Sequence, residues 1–221
     1  MNKKTLGIVI PYYKNSEICE IAFKGLMEQM NEQITDDMIL FVWEDGQLSE
    51  WLQKYNKENI IIAGSTTNHG VSFARNQGID YLIKKVKYIL FLDSDDMVDD
   101  NYLSVIRDNC LDETHEIIET NFVLNLIKTG KTQYSSFDYN LVRSSACGSA
   151  IKCEVIGDNR FKENTQISED VDFMNTIIDL KKYRKKHAIT NYYYQYGKND
   201  NSLSMRYQRK EIDKERGNEN E

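Results

Sequence analysis

Three aspartates fall within four residues at Asp93-Ser94-Asp95-Asp96, directly after the apolar run Tyr88 to Leu92. Carboxylates this crowded repel one another at neutral pH unless a cation stands among them, and their hard oxygens suit magnesium or manganese. Helix capping with an acidic turn is the plainer alternative; it accounts for Asp99 and Asp100 but not for three acids closing a buried strand. A calcium loop is excluded by spacing: counted from Asp93, the sixth position is Val98 rather than glycine and the twelfth is Ser104 rather than glutamate. No P-loop or GxGxxG motif occurs, so a nucleotide would be held by metal and side chains. Two further acidic pairs stand apart, Glu44-Asp45 after Met38 to Trp43 and Glu169-Asp170 at the start of a helical pattern. Taken alone, the second pair reads as ordinary helix-start acids.

Positioning these groups falls to an alternation of short apolar runs and helical periods. Leu6 to Ile10 is a β-branched run without polar alternation, the pattern of a strand buried on both faces, and Pro11 is expected to stop it. Ser16 to Met30 repeats apolar residues at Ile18, Ile21, Ala22, Leu26 and Met30, with Asn15 or Ser16 as cap. Met38 to Trp43 is a second strand, broken by Glu44, Asp45 and Gly46. A short helix over Leu48 to Tyr55 and a third strand at Asn59 to Ala63 follow. A helix from about Ser72, its expected cap, runs to Lys85; Tyr88 to Leu92 is the fourth strand, and Asp99 or Asp100 caps a helix to Asn109. Strand and helix alternating in this way predict an α/β fold, a parallel doubly wound sheet with right-handed crossovers. In such a sheet ligands bind beyond the carboxyl ends of the strands, where Pro11-Tyr12-Tyr13, Glu44-Asp45-Gly46 and the aspartate cluster all fall.

The second half changes pattern. Glu116 to Ile127 and Lys131 to Tyr139 flank Thr129-Gly130-Lys131 as an antiparallel hairpin, and Ala146 to Val155 suits either a strand or a short helix. Ser168 caps a helix to about Tyr183, with Val171, Met174, Ile177 and Ile178 on its apolar side. Thr190 to Tyr196 is a tyrosine-rich strand, whose alternating rings suit sheet packing better than sugar stacking.

The 221 residues are 40% apolar and 29% charged, a folded composition, and no apolar stretch approaches the roughly 18 to 20 residues of a membrane span. The amino terminus lacks a signal-peptide pattern, and Cys19, Cys110, Cys147 and Cys153 show neither disulfide nor zinc spacing. A cytoplasmic chain with reduced thiols is expected. With 28 basic against 35 acidic side chains the surface repels nucleic acid on average. The exception is Lys181, Lys182, Arg184, Lys185 and Lys186, read as a solvated helix end near the negative pole of the helix dipole. Next to it, His187 is a secondary candidate for a phosphate or metal contact. In the Asn68-His69-Gly70 turn, His69 is either a polar loop residue or a diphosphate contact.

Read in order, these pieces resemble the family 2 glycosyltransferases of the GT-A fold. The resemblance runs from Ile8 to Ser204, through Ile8-Val9-Ile10-Pro11-Tyr12-Tyr13-Lys14-Asn15, Trp43-Glu44-Asp45-Gly46, Asn68-His69-Gly70 with Ala74-Arg75-Asn76, Phe91 to Asp96, Ser168-Glu169-Asp170, and Asn201-Ser202-Leu203-Ser204. It implies one GT-A-type catalytic domain over residues 1–204: a doubly wound, mostly parallel sheet flanked by helices, with a smaller antiparallel acceptor-side element. Residues 1–96 would form the nucleotide-sugar-binding half, 97–204 the acceptor side, and 205–221 a charged tail.

By the same resemblance, Pro11, Tyr13 and Glu17 would line the base and ribose, Asp45 would meet the uracil edge, and Arg75 would lie near the nucleotide. Glu44, with its longer side chain, departs from the family's usual aspartate at the contact to the base. Asp95 and Asp96 match the metal element, the later coordinating Mn2+ or Mg2+ and its neighbour reaching the ribose or a metal-bound water; Asp93 is the more structural. Asp170, with Glu169 beside it, matches the general base. The implied function is an inverting transfer from a UDP-sugar donor to a glycan or lipid-linked acceptor in surface polysaccharide synthesis, with peripheral contact at the inner membrane face through the basic run. A nucleotidylyltransferase would need a glycine-rich, arginine-containing amino-terminal loop that is absent. Transfer to a modified nucleobase, and a non-catalytic nucleotide- or metal-binding module, are the remaining alternatives.

Overall fold

The computed structural model describes residues 2–126, 129–134, 145–163, 169–177 and 184–196. Ser168, Lys181, Lys182, the Asn201 to Ser204 stretch and the 205–221 tail lie outside them. Strands β1 (Lys4–Tyr12), β2 (Met38–Asp45), β3 (Ile60–Ser65) and β4 (Val86–Phe91) are parallel, with helices α1 (Glu17–Gln33), α2 (Glu50–Gln53) and α3 (Val71–Leu82) between them. Then come β5 (Met97–Val98), α4 (Tyr102–Cys110), β6 (Ile117–Leu126), β7 (Lys131–Tyr134), β8 (Ser149–Lys152), α5 (Cys153–Ile156), α6 (Glu169–Ile177) and β9 (Lys185–Tyr196).

The nine strands of the described residues join one sheet in the order β3-β2-β1-β4-β8-β6-β9-β5, with β7 on β6. The chain steps outward from β1 through β2 to β3, then returns to place β4 on the other flank of β1. That reversal opens a crevice at the carboxyl ends of β1 and β4. The far edge of β4 is taken by β8, antiparallel through Ile89↔Ile151, and β6 and β9 continue from there. In a flat sheet β5 would stand four steps from β4, on the order of 19 Å at roughly 4.8 Å each. The linking segment instead turns back on itself, Asp96 N–H donating to Asp93 O at 3.3 Å, so the sheet curls and brings β9 to the mouth of the crevice.

Helix and sheet meet closely where the sequence supplies small residues. A Cβ on Gly78 of α3 would come within 2.5 Å of the Val9 side chain of β1, so only glycine lets this helix lie so deep. The first-half alternation and the hairpin around Gly130, at φ 65°, are as expected. The segment 146–155 contains both alternatives, β8 and then α5.

Several local expectations are corrected. Pro11 does not stop β1, which pairs β2 as far as Tyr12↔Glu44. Val9 O accepts from Leu92 N–H at 3.1 Å, so by alternation Pro11 faces the β4 side after that pairing has ended, where its missing N–H costs nothing. Glu44 and Asp45 do not break β2 but form its buried end. On α1, Ile18 and Ile21 are exposed; the buried face is Cys19, Phe23, Leu26, Met27 and Met30, with Ser16 as the cap. Ser72 lies inside α3, whose cap is Gly70 at φ 91°. Neither Asp99 nor Asp100 caps α4: Asn101 takes that place, and Gln33 of α1 accepts from Leu103 N–H at 2.9 Å. The basic run does not end a helix where described, because Lys185 and Lys186 open β9.

Candidate active site

Three strand ends meet at the crevice. Pro11 is buried, while Tyr13 is 48% exposed, and Glu17 is exposed as the first residue of α1. Tyr13 lies against Gly46, where φ is 88° and a Cβ would stand 3.0 Å from the ring. The pair at the end of β2 divides its work. Glu44, fully buried, accepts from the Ser49 N–H at 2.7 Å and from its hydroxyl, ordering the loop into α2. Asp45 accepts from His69 N–H at 3.0 Å and Gly70 N–H at 2.7 Å, satisfying backbone donors at the start of α3 in place of a conventional cap. The Trp43 indole N–H also donates to Asp45 Oδ1 at 3.4 Å; apart from this and the Ser49 hydroxyl, the described bonds of both acids order backbone around the expected base pocket. His69 shares this loop, its ring on Phe73 at 4.5 Å and Nε2 3.2 Å from Ser65 Oγ.

From α3, Arg75 reaches across the crevice. It is 3% exposed, donates from Nη1 to Glu169 Oε1 and from Nη2 to Asp93 Oδ1, both at 2.7 Å, and passes 3.5 Å from Cys147 Sγ. Burial opposes its charge, yet Cys147, Asp93 and Glu169 around it hold the guanidinium well above the ordinary arginine value. The next residue, Asn76, accepts from Phe161 N–H at 2.8 Å and donates to Phe161 O at 2.9 Å. Phe161 in turn stacks on Phe173 of α6, ring centroids 4.0 Å apart, and both stand edge-on to Phe91 at the end of β4. One helix thus fastens the acidic turn, the 161 segment and the start of α6 to a common frame.

In the acidic turn the three aspartates differ. Asp93 is held by Arg75 and Asp95 is half-buried. Asp96 is 2% exposed; its Oδ2 accepts from the Tyr192 hydroxyl and its Oδ1 from Gln195 N–H at 2.9 Å, both on β9. Burial, with Asp95 and Asp93 adding like charge, pushes its carboxyl well above the usual range. The expected ligand Asp96 is therefore turned inward onto its own chain, while Asp93 and Asp95 are both half-buried, Asp93 in its pair with Arg75.

Asp170 stands in the first turn of α6, half-buried, its Oδ1 accepting from Val171 N–H at 2.9 Å. Cys147 links it to the acidic turn: this buried thiol is raised by burial and feels the charges of Asp93, Arg75, Asp170 and Asp96 together. The structure thereby gathers Asp93, Asp95, Asp96, Arg75, Glu169 and Asp170 at one crevice, with Tyr13 and Asp45 on its β1–β2 side. It does not gather His187, which lies on β9 with Nε2 2.8 Å from Asn121 Oδ1. Arg184 pairs with Glu116 at 2.9 Å, Lys185 with Glu119 at 3.5 Å and Lys186 with Asp112 at 3.6 Å. Cys147, Phe161 and Tyr192 carried no motif signal; Tyr192 was visible only as one ring in a strand of tyrosines.

A metal cage is not formed, since among the described residues no three His, Cys, Asp or Glu side chains converge as a cation site. The chemistry of the donor set still suits magnesium or manganese, which are commonly held by one or two carboxylates together with a substrate's phosphates. Asp95 fits that mode.

Comparison with known proteins agrees with this fold. The family model described as Glycosyl transferase family 2 matches residues 7–217. The minor teichoic acid biosynthesis protein GgaB of Bacillus subtilis (strain 168) is 31% identical over 147 residues, covering 60% of this chain and 16% of that protein. GgaA of the same organism, also a minor teichoic acid biosynthesis protein, is 25% identical over a 220-residue alignment covering 89% of this chain and 48% of its own length. The chain thus spans less than half the length of these relatives. Among solved structures, S. aureus TarS residues 1–349 in complex with UDP-GlcNAc superposes with a TM-score of 0.66 at 18% identity, covering 90% of this chain and 60% of that one. The same fragment with UDP gives 0.64. The fold is therefore that of TarS, a curled GT-A-type sheet.

Proposed function

The chain belongs to glycosyl transferase family 2, and from that premise we propose that it moves a sugar from a UDP-sugar to a hydroxyl of a glycan or lipid-linked acceptor during synthesis of a surface polysaccharide of the teichoic acid kind. The observation that carries the reading is the joining, through Arg75, of the acidic turn to the first turn of α6, where Asp170 stands. The teichoic acid relatives and the UDP-GlcNAc complex of TarS support the donor and product class.

In this mechanism the donor base stacks at Tyr13, on the rim formed with Gly46, and Glu17 meets the ribose. Asp170 takes the proton from the acceptor hydroxyl as that oxygen attacks the anomeric carbon from the face opposite the diphosphate, so the configuration inverts. Separating the acidic turn from Asp170 keeps proton removal and leaving-group stabilisation on different groups. Bound Mn2+ or Mg2+, held through Asp95 and the diphosphate, would supply neutralising charge to the leaving group. Arg75 touches neither task directly; it fixes Asp93 and Glu169, the neighbours of the groups that do. For a lipid-linked acceptor, the described cations Arg184, Lys185 and Lys186 would offer the headgroups charge that they already share with Glu116, Glu119 and Asp112.

Isothermal titration of UDP with Mn2+, with Mg2+ and with chelator tests the donor site, and hydrolysis of a UDP-sugar panel tests turnover. Metal-dependent UDP binding that Asp95→Asn abolishes, with hydrolysis lost but binding kept in Asp170→Asn, is the expected result. No metal-dependent binding of any nucleoside diphosphate would overturn the reading.

A further inference from the structure

The acidic turn is tied to the last described strand by its carboxylates. Asp96 and Tyr192, separated by 96 residues, meet where both are almost wholly buried, the phenol donating to Oδ2 while Gln195 N–H takes Oδ1 at 2.9 Å. Three residues on, Asp99 repeats the pattern. Its Oδ2 accepts from Asn191 N–H and Nδ2, both at 2.8 Å, its Oδ1 accepts from the Tyr193 hydroxyl at 2.9 Å, and its own N–H donates to Asn191 O at 3.2 Å. On the other side Arg75 holds Asp93. Asp95 is therefore bracketed by two anchored carboxylates, one fixed from α3 and one from β9.

We infer that Tyr192 is a positioning residue: its hydroxyl, through Asp96, sets the place of Asp95 relative to the donor diphosphate. The inference rests on the proposed donor site and assigns Asp96 to the anchor rather than to the ligand set. Two oxygens fixed by two donors leave Asp96 a single orientation. Removing the hydroxyl keeps the ring, which packs beside Phe122 at 5.9 Å, and frees only the carboxylate. Because β9 also pairs with β6 over its length, the anchor ties the donor-side turn to the strand that carries the acceptor-side sheet.

The test measures Mn2+-dependent UDP binding by titration calorimetry, the Mn2+ half-saturation of UDP-sugar hydrolysis, and thermal melting, for wild type, Tyr192→Phe, Asp96→Asn and Asp95→Asn. Expected are an about tenfold weaker Mn2+-UDP affinity in Tyr192→Phe, a matching rise in Mn2+ half-saturation, and kcat regained at saturating Mn2+. A merely structural tyrosine would instead lower the melting temperature and the active fraction while leaving half-saturation unmoved. Asp96→Asn should keep measurable binding and Asp95→Asn should lose it. Wild-type affinity and half-saturation in Tyr192→Phe, or loss in Asp96→Asn as complete as in Asp95→Asn at unchanged melting temperature, overturns the anchor. Should Tyr192→Phe fail to fold, the Asp96→Asn comparison decides. Failure of the donor reading itself is distinguishable, since it appears as absent metal-dependent binding in wild type, and it overturns the anchor as well.

Discussion

Arg75 donates to Glu169 across 94 residues of sequence, at 2.7 Å and out of contact with solvent. The same guanidinium holds Asp93, so a single side chain joins the donor-side turn to the helix that carries the proposed base. Breaking a buried pair by removing one partner costs about 3–5 kcal/mol, because the abandoned charges stay desolvated. Arg75→Ala is expected to lower the melting temperature by roughly 6 to 20 °C at about 2–4 °C per kcal/mol for a chain of this size. Arg75→Lys, with one point charge for two carboxylates, should fall between. Thermal melts and UDP titration of both variants check this; a wild-type melting temperature in Arg75→Ala would remove the guanidinium from its structural role.

Gly78 sets how deep that arginine sits. Alanine is the better helix former by about 1 kcal/mol, yet its Cβ would stand 2.5 Å from Val9 in the sheet. Overpacking of this kind costs about 1–3 kcal/mol, so the clash outweighs the propensity. Gly78→Ala should melt lower than wild type and weaken donor binding, because α3 must move outward and carry Arg75 and Asn76 with it. A variant that melts higher would mean the helix has room to spare.

The cysteines give a chemical test of the same core. All four are buried, and burial pushes the Cys153 thiol up to about 11 and those of Cys110 and Cys147 higher still. At pH 8 the thiolate fraction of Cys153 is about one part in a thousand. Slow reaction of the native protein with a disulfide reagent is expected, against four fast equivalents in denaturant. Rapid native labelling at Cys147 would show the crevice to be more open than its packing.

Much of this was legible before the structure. Buried parallel strands announce themselves because apolar runs such as Leu6 to Ile10 need no alternation, and the acidic strand ends stand out against them. What sequence could not reveal was which carboxylate is used for what. Asp96 was expected to face the metal and Asp99 or Asp100 to cap α4, yet Asp96 and Asp99 turn to β9, because a curl in the sheet decides which side of the acidic turn meets protein. Likewise Asp45 serves the start of α3 from another strand, a long-range cap that no local pattern encodes. Arg75 was legible as a site residue but not as a buried tie, since its partners lie 18 and 94 positions away.

The neighbours Glu169 and Asp170 provide the sharpest separation of structure from chemistry. Glu169 is buried against Arg75, whereas Asp170 is half-buried, its described bond only to Val171 N–H in its own helix. Glu169→Gln keeps the shape and an acceptor oxygen but removes a charge that balances the guanidinium, so it should lower the melting temperature and reduce donor binding and turnover together. Asp170→Asn keeps the local turn and should leave melting and UDP affinity near wild type while kcat falls about 10²- to 10⁴-fold, the usual worth of a general base. Stopped assays of UDP release with an acceptor glycan, set beside the melts, read both. Equal loss of stability in the two variants would make Asp170 another structural acid and move the search for the base elsewhere in the crevice.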